Sequence, residues 1–173
     1  MVEAASGALA GYIGARFGLS AQGLVTAAYA WVLLLVFFID LERKLVLNGL
    51  VLPGTALALG LSPLLPGIGV ERSALGAAAA FGLLLAVYIA ARGGLGAGDV
   101  KLGAFLGAAC GFPLVMANLV LSFVAAGVAA AMLLVFRIKG RRDVMPLGPY
   151  LAGGALAVLL WGDHIVRLWA LRL

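Results

Sequence analysis

The sequence predicts an all-α polytopic membrane protein, a single domain over residues 1–173 built as a bundle of six to seven transmembrane helices. Three observations carry that expectation. Hydrophobic residues make up 65% of the chain against 11% charged, and the mean hydropathy is +1.18, a balance suited to lipid rather than to a large water-soluble core. Apolar runs long enough to enter a bilayer repeat along the chain, separated by short connections that hold most of the Lys and Arg. The 173 residues accommodate these spans with tight turns and leave no length for a soluble catalytic module, so any chemistry belongs to the bundle.

Residues 4–19 (AASGALAGYIGARFGL) read as a short, glycine-spaced first span, with a superficial helix as the alternative. Glu3 precedes it and no Lys or Arg does, so it lacks the basic start of a secretory signal peptide. Residues 21–39 form the clearest span and run straight into Asp40-Leu41-Glu42-Arg43-Lys44. Residues 49–65 contain Pro53 and Pro63, with Pro66 just beyond, and predict a third span with irregular ends. A short PGIGVER connection leads to a fourth span over 73–91, which enters a glycine-dense run through Arg92. A fifth span follows Asp99 and ends at Phe112-Pro113, a sixth covers 114–136, and the basic loop Arg137–Asp143 precedes a last span that opens at Met145–Tyr150 and ends near Trp161–Asp163. Asp163 and His164 read as solvated groups at the far interface.

Composition also excludes chemistries. Cys110 is the only cysteine and His164 the only histidine, which removes a disulfide framework, multi-cysteine zinc sites and HExxH metal centres. A Ser-His-Asp nucleophile system is improbable for the same reason, although Ser62 and Ser122 lie in apolar surroundings. The net charge of +5 comes from basic residues scattered into short connections without an aromatic platform, so these read as topology signals and not as a nucleic-acid surface. No metal or cofactor is expected.

Two acids stand out against this background. Asp40 abuts an apolar run directly, and an aspartate is the side chain least able to reach back to water. Asp99 closes the run Gly93-Gly94-Leu95-Gly96-Ala97-Gly98-Asp99, which is neither a dinucleotide loop, because an acid occupies the third-glycine position, nor a P-loop, because no Gly-Lys-Ser/Thr follows. The plain structural reading of the run is a glycine-rich break with Asp99 as the next helix's N-cap. Gly103, Gly107 and Gly111 follow Asp99 at intervals of four, a small-residue face that lets a second helix approach closely.

Seven spans place the connections at 40–48, 92–101 and 137–145 on one side with eight basic residues, against four (Arg16, Arg72, Arg167, Arg172) on the other. The positive-inside rule then sets Asp40 and Asp99 together at the cytoplasmic boundary. Two carboxylates at one depth are what an aspartic protease requires, one activating water and the other donating a proton. Helix dipoles suggest Asp99, at a helix start, as the base and Asp40, at a helix end, as the proton donor, an argument that weakens if the helix carrying Asp40 continues toward Lys44.

GGLGAGDVKLG resembles the GxGD motif of type IV prepilin leader peptidases, aspartic membrane enzymes that remove leader peptides from pilin precursors. FFIDLERKLVLNGLVLPG is similar to the segment holding their first aspartate, MPLGPYLAGG to their proline-glycine-proline stretch, and VEAASGALAGYIGARFGLS to their first helix, so the likeness covers nearly the whole chain in order. The resemblance implies that Asp40 and Asp99 form the catalytic dyad and that Gly96 and Gly98 shape the loop holding Asp99. It implies membrane-anchored prepilin or pseudopilin substrates, with a basic leader cut after a glycine at the cytoplasmic face of a prokaryotic inner membrane. Two departures accompany it. Val46-Leu47 stands where the family usually has Ile-Pro, and the N-terminal four-cysteine zinc domain associated with S-adenosylmethionine-dependent methylation is missing from this sequence. Peptidase activity without methyltransferase activity is therefore expected.

Lys101 orients a carboxylate or binds a lipid phosphate in one reading and is a snorkelling interfacial lysine in the other. Pro146, Gly148 and Pro149 form a turn near the dyad or a simple helix start. The rival functions are a small proton- or cation-coupled transporter, in which the acids form a relay, and a non-catalytic assembly factor of a pilus or secretion system. A relay calls for acids near the midplane, whereas both acids fall at one surface. Oligomeric state and the particular pilin are not encoded legibly.

Overall fold

The computed structural model describes residues 2–43, 45–91, 94–136 and 146–170, with side chains described as far as Gly162 in the last segment. Seven α-helices account for nearly all of it: α1 (Val2–Phe17), α2 (Ala21–Arg43), α3 (Asn48–Leu61), α4 (Gly69–Ala90), α5 (Ala97–Cys110), α6 (Leu114–Val135) and α7 (Gly148–Ala170), with a 3-10 turn at Ser62–Leu64. Among the described residues α2, α4 and α6 are long and apolar enough to cross a membrane by length and composition, and Asn48–Leu64 and Gly148–Gly162 are shorter apolar helices. The architecture is that of an all-α membrane protein. Leu83, Ile89, Val120, Val124, Val128 and Met132 point outward, as side chains facing lipid do.

Several boundaries differ from the sequence expectation, each for a local reason. Helix α4 starts at Gly69 rather than 73, because Gly67 and Gly69 take φ of +79° and +62° and turn the chain immediately after Pro66. Glu71 then lies in the first turn, where the helix dipole favours an acid. Gly111 ends α5 at φ +70°, yet it still packs against α4 beside Gly107, since a methyl group at Gly76 would lie 2.9 Å from its carbonyl carbon. Helix α7 runs to Ala170, past the expected end near 161–163. The side chains of Asp163, His164 and Arg167, together with Lys44, Arg92, Gly93, Arg137–Met145 and Arg172, lie outside the described residues.

Helix α5 is the centre of the bundle. Ten of its 14 residues are buried, on all sides of the helix, which marks a helix enclosed by others. Its glycine face meets α4: a methyl group at Gly107 would strike the backbone of Gly76 and Ala77, and one at Gly76 would strike the Gly107 carbonyl. Ser73 adds a hydrogen bond from Oγ to the Ala108 carbonyl at 2.7 Å. On the opposite flank Gly54 of α3 makes room for the Phe105 ring, which Tyr29 of α2 meets edge-on at 6.2 Å while its hydroxyl donates to the Ala58 carbonyl. Helix α1 joins the other end of α7 through an Arg16 hydrogen bond to the Leu160 carbonyl and the Tyr12–Trp161 ring contact at 5.6 Å.

Candidate active site

The end of α2 and the starts of α3, α5 and α7 converge at one end of the bundle. Asp40 lies in the last turn of α2, 4% exposed, because Tyr29, Leu33, Val36 and Asp40 fall on the same buried helical face. The Gly148 N–H, in the first turn of α7, faces its carboxylate. A helix start offers N–H groups with no intrahelical partner, and the adjacent Pro149 has none to give, so Gly148 is the donor that α7 presents. A methyl group at position 148 would stand 2.5 Å from Asp40 Oδ2. That oxygen is fully buried and has no hydrogen-bond partner among the described residues.

Asp99 lies in the first turn of α5, 8% exposed. The N-cap of that helix is Gly96, three residues before it, and not Asp99 itself. The Gly96 N–H donates to Asp99 Oδ2 at 3.3 Å while the Asp99 N–H donates to the Gly96 carbonyl at 3.1 Å, so the acid folds back over the helix start. Asp40 is near enough for its charge to repel that of Asp99. The two acids, 59 positions apart in the chain, thus occupy one electrostatic site.

The remaining expected residues surround this pair. Gly98 sits within the first turn of α5, not in the loop, and the extended segment Leu45–Leu47 crosses it so closely that a methyl group there would lie 2.8 Å from Val46 Cβ. Lys101 is partly exposed and donates from Nζ to Asn48 Oδ1 at 3.0 Å, tying α5 to the start of α3 rather than contacting either acid. Pro146 and Leu147 lead into α7, with the Leu147 carbonyl accepting the Tyr150 and Leu151 N–H groups, and Pro149 is buried in its first turn. Sequence reasoning noted Val46 only as a departure from the family pattern and missed both its contact with Gly98 and the role of Asn48, since an ordinary aliphatic and an exposed amide carry no signal of what they touch. It also passed over Asn118, whose signal is a buried amide in an apolar helix, one turn before Ser122.

The expectation that Asp40 is the proton donor changes in this geometry. Helix α2 continues through Arg43, so Asp40 is not its terminal residue, and the α7 start directs an N–H at it. The unfavourable dipole of α2 is offset by the favourable one of α7, so helix dipoles no longer single out Asp40 as the donor. Among the described residues no three His, Cys, Asp or Glu side chains gather closely enough to hold a metal ion. A half-open cleft lined by Gln22, Thr26, Cys110 and Gly162 lies at the far ends of the same helices and belongs to a different region from the acids.

Paired buried carboxylates contributed by two helices at one end of an apolar helical bundle define a polytopic membrane protein with a two-acid centre. The chain belongs to the type IV leader peptidase family, whose model matches residues 27–132 and so includes both acids. It is 34% identical over 170 residues to a prepilin leader peptidase/N-methyltransferase of Stutzerimonas stutzeri, covering 95% of this chain and 59% of the relative. A protein of the same name from Pseudomonas aeruginosa is 32% identical over 174 residues (96% and 59%), and one from Bacillus subtilis 31% identical over 160 residues (90% and 63%). The chain spans about three fifths of the length of these curated relatives. No solved structure matches it significantly.

Proposed function

We propose that the bundle is an aspartic endopeptidase domain that removes the basic leader from type IV prepilin-like or pseudopilin precursors, cutting after a glycine at the cytoplasmic face of a prokaryotic inner membrane. The feature that supports this most directly is that Asp40 and Asp99, each nearly sealed from bulk solvent, are brought from separate helices to within range of each other's charge. An isolated pair of this kind is costly to hold in an apolar bundle, and a shared proton is the arrangement that lowers the cost.

In the singly protonated pair, the ionised carboxylate accepts a proton from water as the water oxygen bonds to the scissile carbonyl carbon. The protonated carboxyl gives its proton to the carbonyl oxygen. Collapse of the tetrahedral diol breaks the C–N bond, a proton passes to the leaving amine, and the pair returns to one shared proton. The Gly96 N–H holds the Asp99 carboxylate and the Gly148 N–H faces that of Asp40, whose buried Oδ2 has no hydrogen-bond partner among the described residues. The excess of Lys and Arg in the connections at this end supports the cytoplasmic assignment.

The placement of both acids at one end of the bundle disfavours a transmembrane relay, which requires groups along a path. The test is cleavage of a prepilin-like substrate, with a basic leader and glycine before an apolar helix, by purified protein in lipid. Cleavage after the glycine by the wild type, lost in both Asp40→Asn and Asp99→Asn, is the expected result. Folded wild type that cuts none of several native candidates, or an Asn variant that retains full rate, overturns the proposal.

A further inference from the structure

Two side chains of α6 that touch neither acid meet the part of α7 that follows Gly148. Asn118 and Ser122 are buried at 0% and 1% exposure, one turn apart on the same face of α6. Ser122 Oγ lies 3.0 Å from the Tyr150 carbonyl in the first turn of α7, 3.1 Å from Asn118 Oδ1 and 2.7 Å from the Asn118 carbonyl. Gly154 completes the contact: a methyl group there would collide with Asn118 Oδ1 and reach within 2.5 Å of Ser122 Oγ. Only a glycine lets the polar pair touch the α7 backbone.

A serine hydroxyl has one proton, so Oγ cannot donate to three acceptors at once, and as placed the Asn118 Nδ2 is buried with no partner. Exchanging the amide nitrogen and oxygen, which are equivalent in shape, gives Nδ2–H an acceptor in Ser122 Oγ. The Ser122 hydroxyl then donates between the Tyr150 carbonyl at 3.0 Å and the Asn118 carbonyl at 2.7 Å. The result is a polar link between α6 and α7 in a medium where an unpaired donor is costly.

This latch grips α7 at Tyr150 and Gly154, within about two turns of Gly148, so it fixes both the depth and the rotation of the helix start. Gly148 has little tolerance, since a carbon added to it would stand 2.5 Å from Asp40 Oδ2. We propose that Asn118 and Ser122 are positioning residues for the two-aspartate centre: they set the register of α7 and thereby hold the Gly148 N–H on the Asp40 carboxylate. The inference rests on the peptidase reading for its kinetic consequence, but not for its structural one.

The experiment uses full-length Ser122→Ala, Ser122→Thr and Gly154→Ala in lipid, with Gly127→Ala, whose methyl meets nothing within 4 Å, as the control on α6. Ser122→Ala and Gly154→Ala are expected to lower kcat by about tenfold to a hundredfold with KM changed less than twofold, as for a small misplacement of a reacting group. Ser122→Thr, which keeps the hydroxyl, restores most of the rate. Independently of activity, the Gly148 amide proton resonance moves in Ser122→Ala toward its position in Asp40→Asn. Unchanged kcat and an unchanged Gly148 resonance in folded Ser122→Ala overturn the inference, as does a rate loss that Ser122→Thr fails to restore. If the wild type cleaves no prepilin while the Gly148 resonance responds as expected, the peptidase reading falls and the latch stands.

Discussion

Gly148, in the first turn of α7, lies so near Asp40, in the last turn of α2, that a single added carbon would stand 2.5 Å from the carboxylate oxygen. The contact joins two segments more than 100 positions apart and gives one member of the acid pair a backbone donor from a helix start.

Replacing Gly148 by alanine is therefore expected to displace the Asp40 carboxylate and reduce cleavage by about a hundredfold, as misplacement of a reacting group does. Gly153→Ala on the same helix serves as control, because its methyl would meet only Phe37 at 4.0 Å. Rates of the two folded variants check the prediction, and equal rates would remove Gly148 from the site.

The proposed shared-proton centre predicts a particular pH dependence. Below both titrations the pair carries two protons and no base exists; above both it carries none and no acid exists. The rate is expected to follow a bell with pH, its two limbs belonging to the pair rather than to either residue. A profile of kcat/KM in proteoliposomes measures it, and a single sigmoid contradicts a shared-proton centre. Each Asp→Asn variant loses about 10²- to 10⁴-fold across the whole range.

Gly98 and Val46 are in direct opposition, so their substitutions should couple. Gly98→Ala forces its methyl into Val46 Cβ, 2.8 Å away, and is expected to cut activity at least tenfold. Val46→Gly removes the obstructing carbon and should recover part of the loss in the double variant. A double-mutant cycle on cleavage rate reads the coupling, and strictly additive effects would show that the two do not meet in solution.

The α4–α5 crossing predicts a stability difference unrelated to catalysis. Gly107→Ala places a methyl in the Gly76 backbone and should destabilise the folded bundle by about 1–3 kcal/mol. Gly82→Ala on α4, with nothing within 4 Å, should be neutral or stabilising by up to about 1 kcal/mol. Unfolding in detergent compares them.

Loss of the Lys101–Asn48 bond is expected to matter little. It is a partly exposed link between α5 and α3, worth about 1 kcal/mol or less, and it touches neither acid. Lys101→Met should retain activity within about threefold in the same cleavage assay, and a loss as large as that of the aspartate variants would give Lys101 a role at the reacting atoms.

The sequence by itself determined the elements and the two acids. Apolar length and glycine-proline punctuation are local properties, and they mark α1 through α6 to within a few residues. Asp40 and Asp99 were legible because a carboxylate beside a hydrocarbon-compatible helix has a cost that ordinary packing does not explain. Tertiary structure alone decided what each small residue is for. Gly76 meets Gly107, Gly98 meets Val46, Gly148 meets Asp40 and Gly154 meets Asn118 and Ser122, yet Gly82 and Gly127 meet nothing. A glycine records only that a side chain is missing, and the partner that needs the space comes from another helix. The same holds for the carboxylates: charge counting gives only an expected side, while their approach requires α5 at the centre of the bundle, with α2 and α7 packed so that one helix end and one helix start meet beside it.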